Sequence, residues 1–156
     1  MPRYTPEQLA LRNASIWTTV QLMLAPIQFV AFLVGVAVTY FYYRDSGTFP
    51  FYWVGAAFLF KTFMFALMFY TGAYFEKELF DKWIFSKEFM LEDIGSVIAG
   101  IFFVPYYFLA FTGASKEVLV WAAFIAYFVY CANSVQYLVR ISLEKRGERR
   151  SMQGHA

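Results

Sequence analysis

Histidine and cysteine are almost missing from this 156-residue chain, which holds one of each. The single cysteine, Cys131, excludes an internal disulfide framework and any CxxC redox or zinc motif. The single histidine, His155, sits in the C-terminal tail, so no ligand set for a zinc, haem or di-iron centre is at hand. No metal site and no cofactor of the protein's own are expected. Charge is also scarce: Asp, Glu, Lys and Arg make up 15% of residues and the formal net charge is +2. That excess is too small to suggest a nucleic-acid partner. No internal repeat and no polar linker divides the chain, which reads as one domain over residues 1–156. No cleavable signal peptide is expected either, because the first apolar run begins at Ile16 and far outlasts a signal h-region.

What fills the space is apolar. Hydrophobic residues make up 60% and aromatic residues 23%, against about 45–50% apolar in a soluble domain. With a mean hydropathy of +0.49, the chain belongs to the membrane class. Four segments meet the ~20-residue requirement for crossing a bilayer: 16–43, 51–75, 93–112 and 118–139, followed by a tail over 140–156. All should be helices, since open strands leave backbone groups unsatisfied in lipid. Short links after the first and third make antiparallel neighbours. The expected fold is therefore an all-α integral membrane protein, a four-helix antiparallel bundle.

Lys and Arg give the orientation. Ten flank one side (Arg3, Arg12, Lys77, Lys82, Lys87, Arg140, Lys145, Arg146, Arg149 and Arg150), and the other side has Arg44 and Lys116. The positive-inside rule places both termini and the 76–92 segment in the cytoplasm. Two flanking pieces look helical and interfacial. Thr5, Pro6 and Gln8 form a capping-box pattern before span one. Lys77–Leu91 mixes Leu79, Phe80, Trp83, Ile84, Phe85 and Phe89 with charges, as a helix lying along the membrane face would.

The informative residues are those a membrane helix tolerates poorly. Gln21 and Gln28 share one face of span one, with Pro26 between them. Lys61 lies ten residues into span two, about 15 Å deep. Placing it there costs roughly 3 kcal/mol, so it should face the bundle interior, with Gln28 as its best neighbour. Nearer the cytoplasm, Glu76 ends span two and Glu92 and Asp93 open span three. Asn133 and Gln136 end span four, and Gln21 lies at the same level. Six polar residues from four spans thus occupy one end of the bundle. The plainer account is helix-to-helix hydrogen bonding, with Glu76 paired to Lys77 or Lys82 and with Glu78, Asp81 and Glu88 solvated. Adjacent helical positions diverge by about 100°. Glu92 and Asp93 therefore cannot both face one small site: one faces a pocket and the other caps the helix N-terminus. The aromatic residues either line a pocket for a large flat ligand or serve generic packing. Small residues such as Ala122 and Ala126 permit close helix contact, which leaves a homo-oligomer open.

These residues resemble the 3-vinyl (bacterio)chlorophyllide hydratase family of bacteriochlorophyll biosynthesis. The likeness runs through Tyr4-Thr5-Pro6-Glu7, Trp17-Thr18, Val20-Gln21, Leu24-Ala25-Pro26, Gln28-Phe29 and Phe32-Leu33. It continues through Lys61-Thr62, Thr71-Gly72-Ala73, Glu76-Lys77, Phe89, Glu92-Asp93, Ser96, Asn133 and Gln136. Phe75 stands where a tryptophan is expected, and 100–106 diverges. The resemblance implies a lyase that adds water across the ring-A vinyl group of a chlorophyll precursor, giving a 1-hydroxyethyl group. The partners are then a (bacterio)chlorophyllide substrate, which carries its own magnesium, and membrane lipid.

Such chemistry needs a protonated acid for the terminal vinyl carbon and a group that orients water. Crowded carboxylates in low dielectric supply both. Glu92, Glu76 and Asp93 are the candidate catalytic residues, with Glu92 preferred as the acid and Asp93 as cap or water-orienting group. Gln21, Asn133 and Gln136 are candidates to hold the water, and Lys61, beside Gln28, to meet the ring carbonyl or propionate. A Gln, an Asn or a water would ligate the pigment's magnesium. A non-enzymatic tetraspan pigment-binding or scaffolding protein, and a small transporter with Lys61 in a proton relay, are the alternatives.

Overall fold

Thr5 opens the first helix through a reciprocal cap. Its hydroxyl accepts the Gln8 amide at 3.2 Å, and the Gln8 side chain accepts the Thr5 amide at 2.9 Å. The computed structural model describes residues 4–153, with side chains through 140 and at Ser142 and Leu143. Arg3, His155 and the side chains of Lys145, Arg146, Arg149 and Arg150 lie outside that description.

Among the described residues the chain forms five helices: α1 Pro6–Ala14, α2 Ile16–Arg44, α3 Tyr52–Phe80, α4 Met90–Phe111 and α5 Lys116–Gln153. Four of them are long and apolar enough to cross a membrane; in α5 that stretch is Lys116–Arg140. Ser15 ends α1 and caps α2, accepting the Trp17 amide at 3.2 Å. Its own hydroxyl donates to the Glu78 carboxylate on α3. Glu78, expected to be solvated, thereby ties the start of α2 to the end of α3.

Span boundaries follow the hydropathy reading closely at α2 and depart from it elsewhere. α3 runs five residues past the expected end, to Phe80, and α5 continues through the tail to Gln153. The helix expected over 77–91 does not form. Its first turn belongs to α3, its last two residues belong to α4, and 81–89 is irregular backbone. Asp81 ends α3 in the left-handed region at φ 56°.

Packing comes as two hairpins, α2 with α3 and α4 with α5, joined where α2 meets α5; the α3–α4 seam is thinner. Four alternating crossings put the N-terminus, the 81–89 segment and the end of α5 at one end of the bundle. The core is aromatic. Phe58, fully buried, stacks on Tyr106 with centroids 4.0 Å apart and contacts Phe103 and Tyr127. Ala123 and Ala126 are fully buried against this cluster and Ala122 packs beside it. The small residues of α5 thus serve the bundle's own packing. Large apolar side chains such as Leu22, Phe111 and Phe128 face outward, as a lipid-facing surface does.

Gly35 sets how closely α2 and α5 approach. A Cβ there would lie 2.3 Å from the Tyr127 hydroxyl and 2.7 Å from its Cζ. Gly35→Ala should therefore lower the thermal stability of the detergent-solubilised protein by about 1–3 kcal/mol through overpacking. Adding Tyr127→Phe should restore part of it, because the nearest clashing atom is the hydroxyl.

Candidate functional site

The polar residues at the strap end of the bundle separate into three seams. At the α2–α3 seam, the Gln21 amide donates to Thr71 Oγ1 at 2.6 Å and to the Met68 carbonyl at 3.2 Å. Gln21 is committed to α3 and does not reach the carboxylates through any of these bonds.

At the α3–α4 seam the 81–89 strap folds over two carboxyl groups. Glu76 is 4% exposed, so its oxygens need protein donors. Its Oε2 accepts the Ser86 amide at 3.0 Å. Asp93 Oδ2 accepts the adjacent amide, that of Phe85, at 2.6 Å. The Asp93 carboxyl lies near enough to interact with that of Glu76. Ser86 is fully buried beneath the strap. Phe85 takes φ 58°, a left-handed conformation that costs a bulky residue about 1–2 kcal/mol; the two amide bonds hold it there. Glu76 makes no surface pair with Lys77. Instead Lys77 bonds Asp81, whose exposed carboxyl it holds below the usual range.

At the α4–α5 seam, Glu92 pairs with Arg140 at 2.6 Å, the two side chains being 9% and 28% exposed. Gln136 donates to the Leu91 carbonyl at 3.2 Å and Asn133 to Ser96 at 3.4 Å. Gly95 makes this seam close, since a Cβ there would meet Asn133 Oδ1 at 2.2 Å. Asn133 and Gln136 therefore hold α4 to α5, on the Glu92 side of the helix.

Glu92 and Asp93 do diverge, as helix geometry requires, and both stand in the first turn of α4, where negative charge is favourable. The N-cap of α4 is Phe89, with no side-chain cap bond. The pairing of Glu92 with Arg140 escaped sequence reasoning, which took Arg140 only as a topology charge. The strap amides escaped it as well, because no side chain marks them. Beside Glu76 and Asp93 lies an aromatic shelf: Phe89 packs on Phe75 and Phe80 at 5.9 Å, and Tyr4 stacks on Phe80 at 6.2 Å.

Lys61 stands apart from all three seams. Fifteen residues separate it from Glu76 on one helix, about 22 Å along the axis. It is fully buried, its Nζ has no hydrogen-bond partner, and it lies 3.3 Å from the Tyr130 ring centroid. Gln28, 7% exposed with Oε1 unpartnered, is its neighbour in level. Phe32, one turn along α2 from Gln28, packs on Tyr130 at 5.2 Å.

The family model for 2-vinyl bacteriochlorophyllide hydratase (BCHF) matches residues 4–143. The chain is 32% identical over 142 residues to the 2-vinyl bacteriochlorophyllide hydratase of Cereibacter sphaeroides, covering 91% of this chain and 88% of that one. It is 34% identical over 139 residues to the protein of the same name from Rhodobacter capsulatus, covering 88% and 80%. No solved structure matches.

The Lys61 environment makes its own prediction. Burying an unpaired ammonium costs several kcal/mol, and a cation–π contact returns about 2. Lys61→Met should therefore leave thermal stability in detergent unchanged or raise it, by up to about 4 kcal/mol. A clear loss of stability would show that the charge is compensated where it sits.

Proposed function

The chain belongs to the 2-vinyl bacteriochlorophyllide hydratase family and is a hydro-lyase, and on that premise we propose that it hydrates the ring-A vinyl group of a (bacterio)chlorophyllide. That vinyl is the 3-vinyl of the numbering used above and the 2-vinyl of the family's name. The observation that carries the site assignment is the burial of Glu76 beside Asp93 under the strap, where each accepts one of two adjacent amides. A proton held in a dry place is what alkene protonation needs.

In this reading the pair delivers its proton to the terminal vinyl carbon. The π electrons form the new C–H bond, and a cation develops at the inner carbon, conjugated with the macrocycle. Water attacks that carbon through oxygen and returns one proton to the ionised pair. The product is the 1-hydroxyethyl group, and the pair ends as it began. The strap limits access of bulk water, while its two amides steady the negative charge left on the pair. The aromatic shelf of Tyr4, Phe75, Phe80 and Phe89 supports one face of the ring system. Lys82 and Lys87, exposed on the strap, meet the propionate at the membrane surface. Both termini and the strap lie on the cytoplasmic face of the inner membrane, as the Lys and Arg distribution directs. Glu92 is then a structural acceptor for Arg140, and the role first given to it passes to Glu76 and Asp93.

Full-length variants in membranes of a host without pigment synthesis, supplied with a 3-vinyl chlorophyllide, test this. Formation of the product heavier by one water should fall about 100-fold or more in Glu76→Gln and in Asp93→Asn. Glu92→Gln, whose amide oxygen still accepts from Arg140, should keep at least about a tenth of the rate. Wild-type hydration by both pair variants, or its abolition by Glu92→Gln alone, would move the acid elsewhere.

A further inference from the structure

One side chain reaches the strap from the far side of the bundle. Arg140, on α5, donates from Nη1 to Glu92 Oε2 at 2.6 Å and from Nη2 to the Glu88 carbonyl at 3.0 Å. A single planar guanidinium thus ties three pieces: the end of α5, the first turn of α4 and the strap backbone. Glu88 lies two residues beyond Ser86 and three beyond Phe85, whose amides feed Glu76 and Asp93. Phe85 is in a left-handed conformation, which persists only where surroundings over-determine it. The strap is fixed on one side by the two carboxyl groups and on the other by this fork.

We propose that Arg140 is a positioning residue for hydration, holding the strap so that the Phe85 and Ser86 amides stay on the Glu76–Asp93 pair. The proposal rests on the reading of that pair as the proton source. Its hold on the strap runs through the Glu88 carbonyl, two and three residues beyond the amides that meet the pair. The geometry also says why arginine is needed. Lysine offers a point charge on a flexible stem, and its ammonium does not reproduce a flat fork that bonds a carboxylate and a carbonyl together.

The test compares Arg140→Gln and Arg140→Lys with the parent, full length and in membranes, using 3-vinyl chlorophyllide. Hydration kinetics are read together with amide hydrogen exchange of the peptide spanning 82–90. Both variants should lower kcat at least tenfold while KM stays within threefold, since the fork does not hold the substrate. Exchange at Phe85 and Ser86 should accelerate at least tenfold. Arg140→Lys keeps a cation next to Glu92 and decides the matter if Arg140→Gln fails to accumulate. Parent-like kcat in Arg140→Lys, or unchanged strap exchange, overturns the proposal. Glu76→Gln, run in parallel, separates the two ideas. If it hydrates normally, the acid assignment fails; if it is inactive while Arg140→Lys is unaffected, only the positioning role fails.

Discussion

A carboxyl group shut away from water must find donors, and Glu76 governs one end of this bundle for that reason. It is 4% exposed, in a region that apolar helices dominate. Leaving its oxygens unmet would cost several kcal/mol. The nearest unspent donors are main-chain amides, and a helix cannot lend them, because all but its first four are already bonded. The strap must therefore be non-helical where it passes the pair. Its irregular backbone, the left-handed turn at Phe85 and the complete burial of Ser86 follow from that one requirement. Asp93 completes the arrangement by taking the neighbouring amide and facing Glu76 directly.

Adjacent positions on α4 then divide the labour. Asp93 looks to α3 and the strap, and Glu92 looks to α5. The first turn of α4 is consequently held from two directions by bonds of different kinds. On one side are neutral amides; on the other is an ion pair between side chains 9% and 28% exposed. Gly95 lets α5 approach closely enough for Asn133 and Gln136 to bond α4 as well. A displacement of α5 would be felt at the strap through Glu88, although α5 contributes no oxygen to the carboxyl pair.

The parts legible in sequence were those decided locally. The Thr5–Gln8 cap is a contact between residues three apart, and the four spans announce themselves by length and hydropathy. The placement of Gln21 at the Glu76 end of α3, beside Thr71, follows from counting turns along antiparallel helices. The strap was not legible. Leu79, Phe80, Trp83, Ile84 and Phe85 read as one amphipathic face, and what breaks that helix is the demand of Glu76 and Asp93 for amides. Hydrophobic periodicity carries no record of that demand. Arg140 was misjudged for a related reason: its charge is visible in sequence, but its partner 48 residues away is not. The divergence of Glu92 from Asp93 was readable, whereas which of them met which helix depended on packing.

Two buried polar centres lie along α3, and the reaction chooses between them. Lys61 is near the middle of the bundle, where an ammonium has only aromatic faces for company and where water is scarcest. A hydration consumes one water per turnover, so its site must border the aqueous phase while still accepting an apolar macrocycle. In the proposed reading the strap end meets both conditions, with an aromatic shelf for the ring, lysines for its carboxylate and water beyond a few residues of backbone. The strap's task is then to meter that water. Water entering freely would solvate the carboxyl pair and undo the dry setting on which the proposed proton delivery relies.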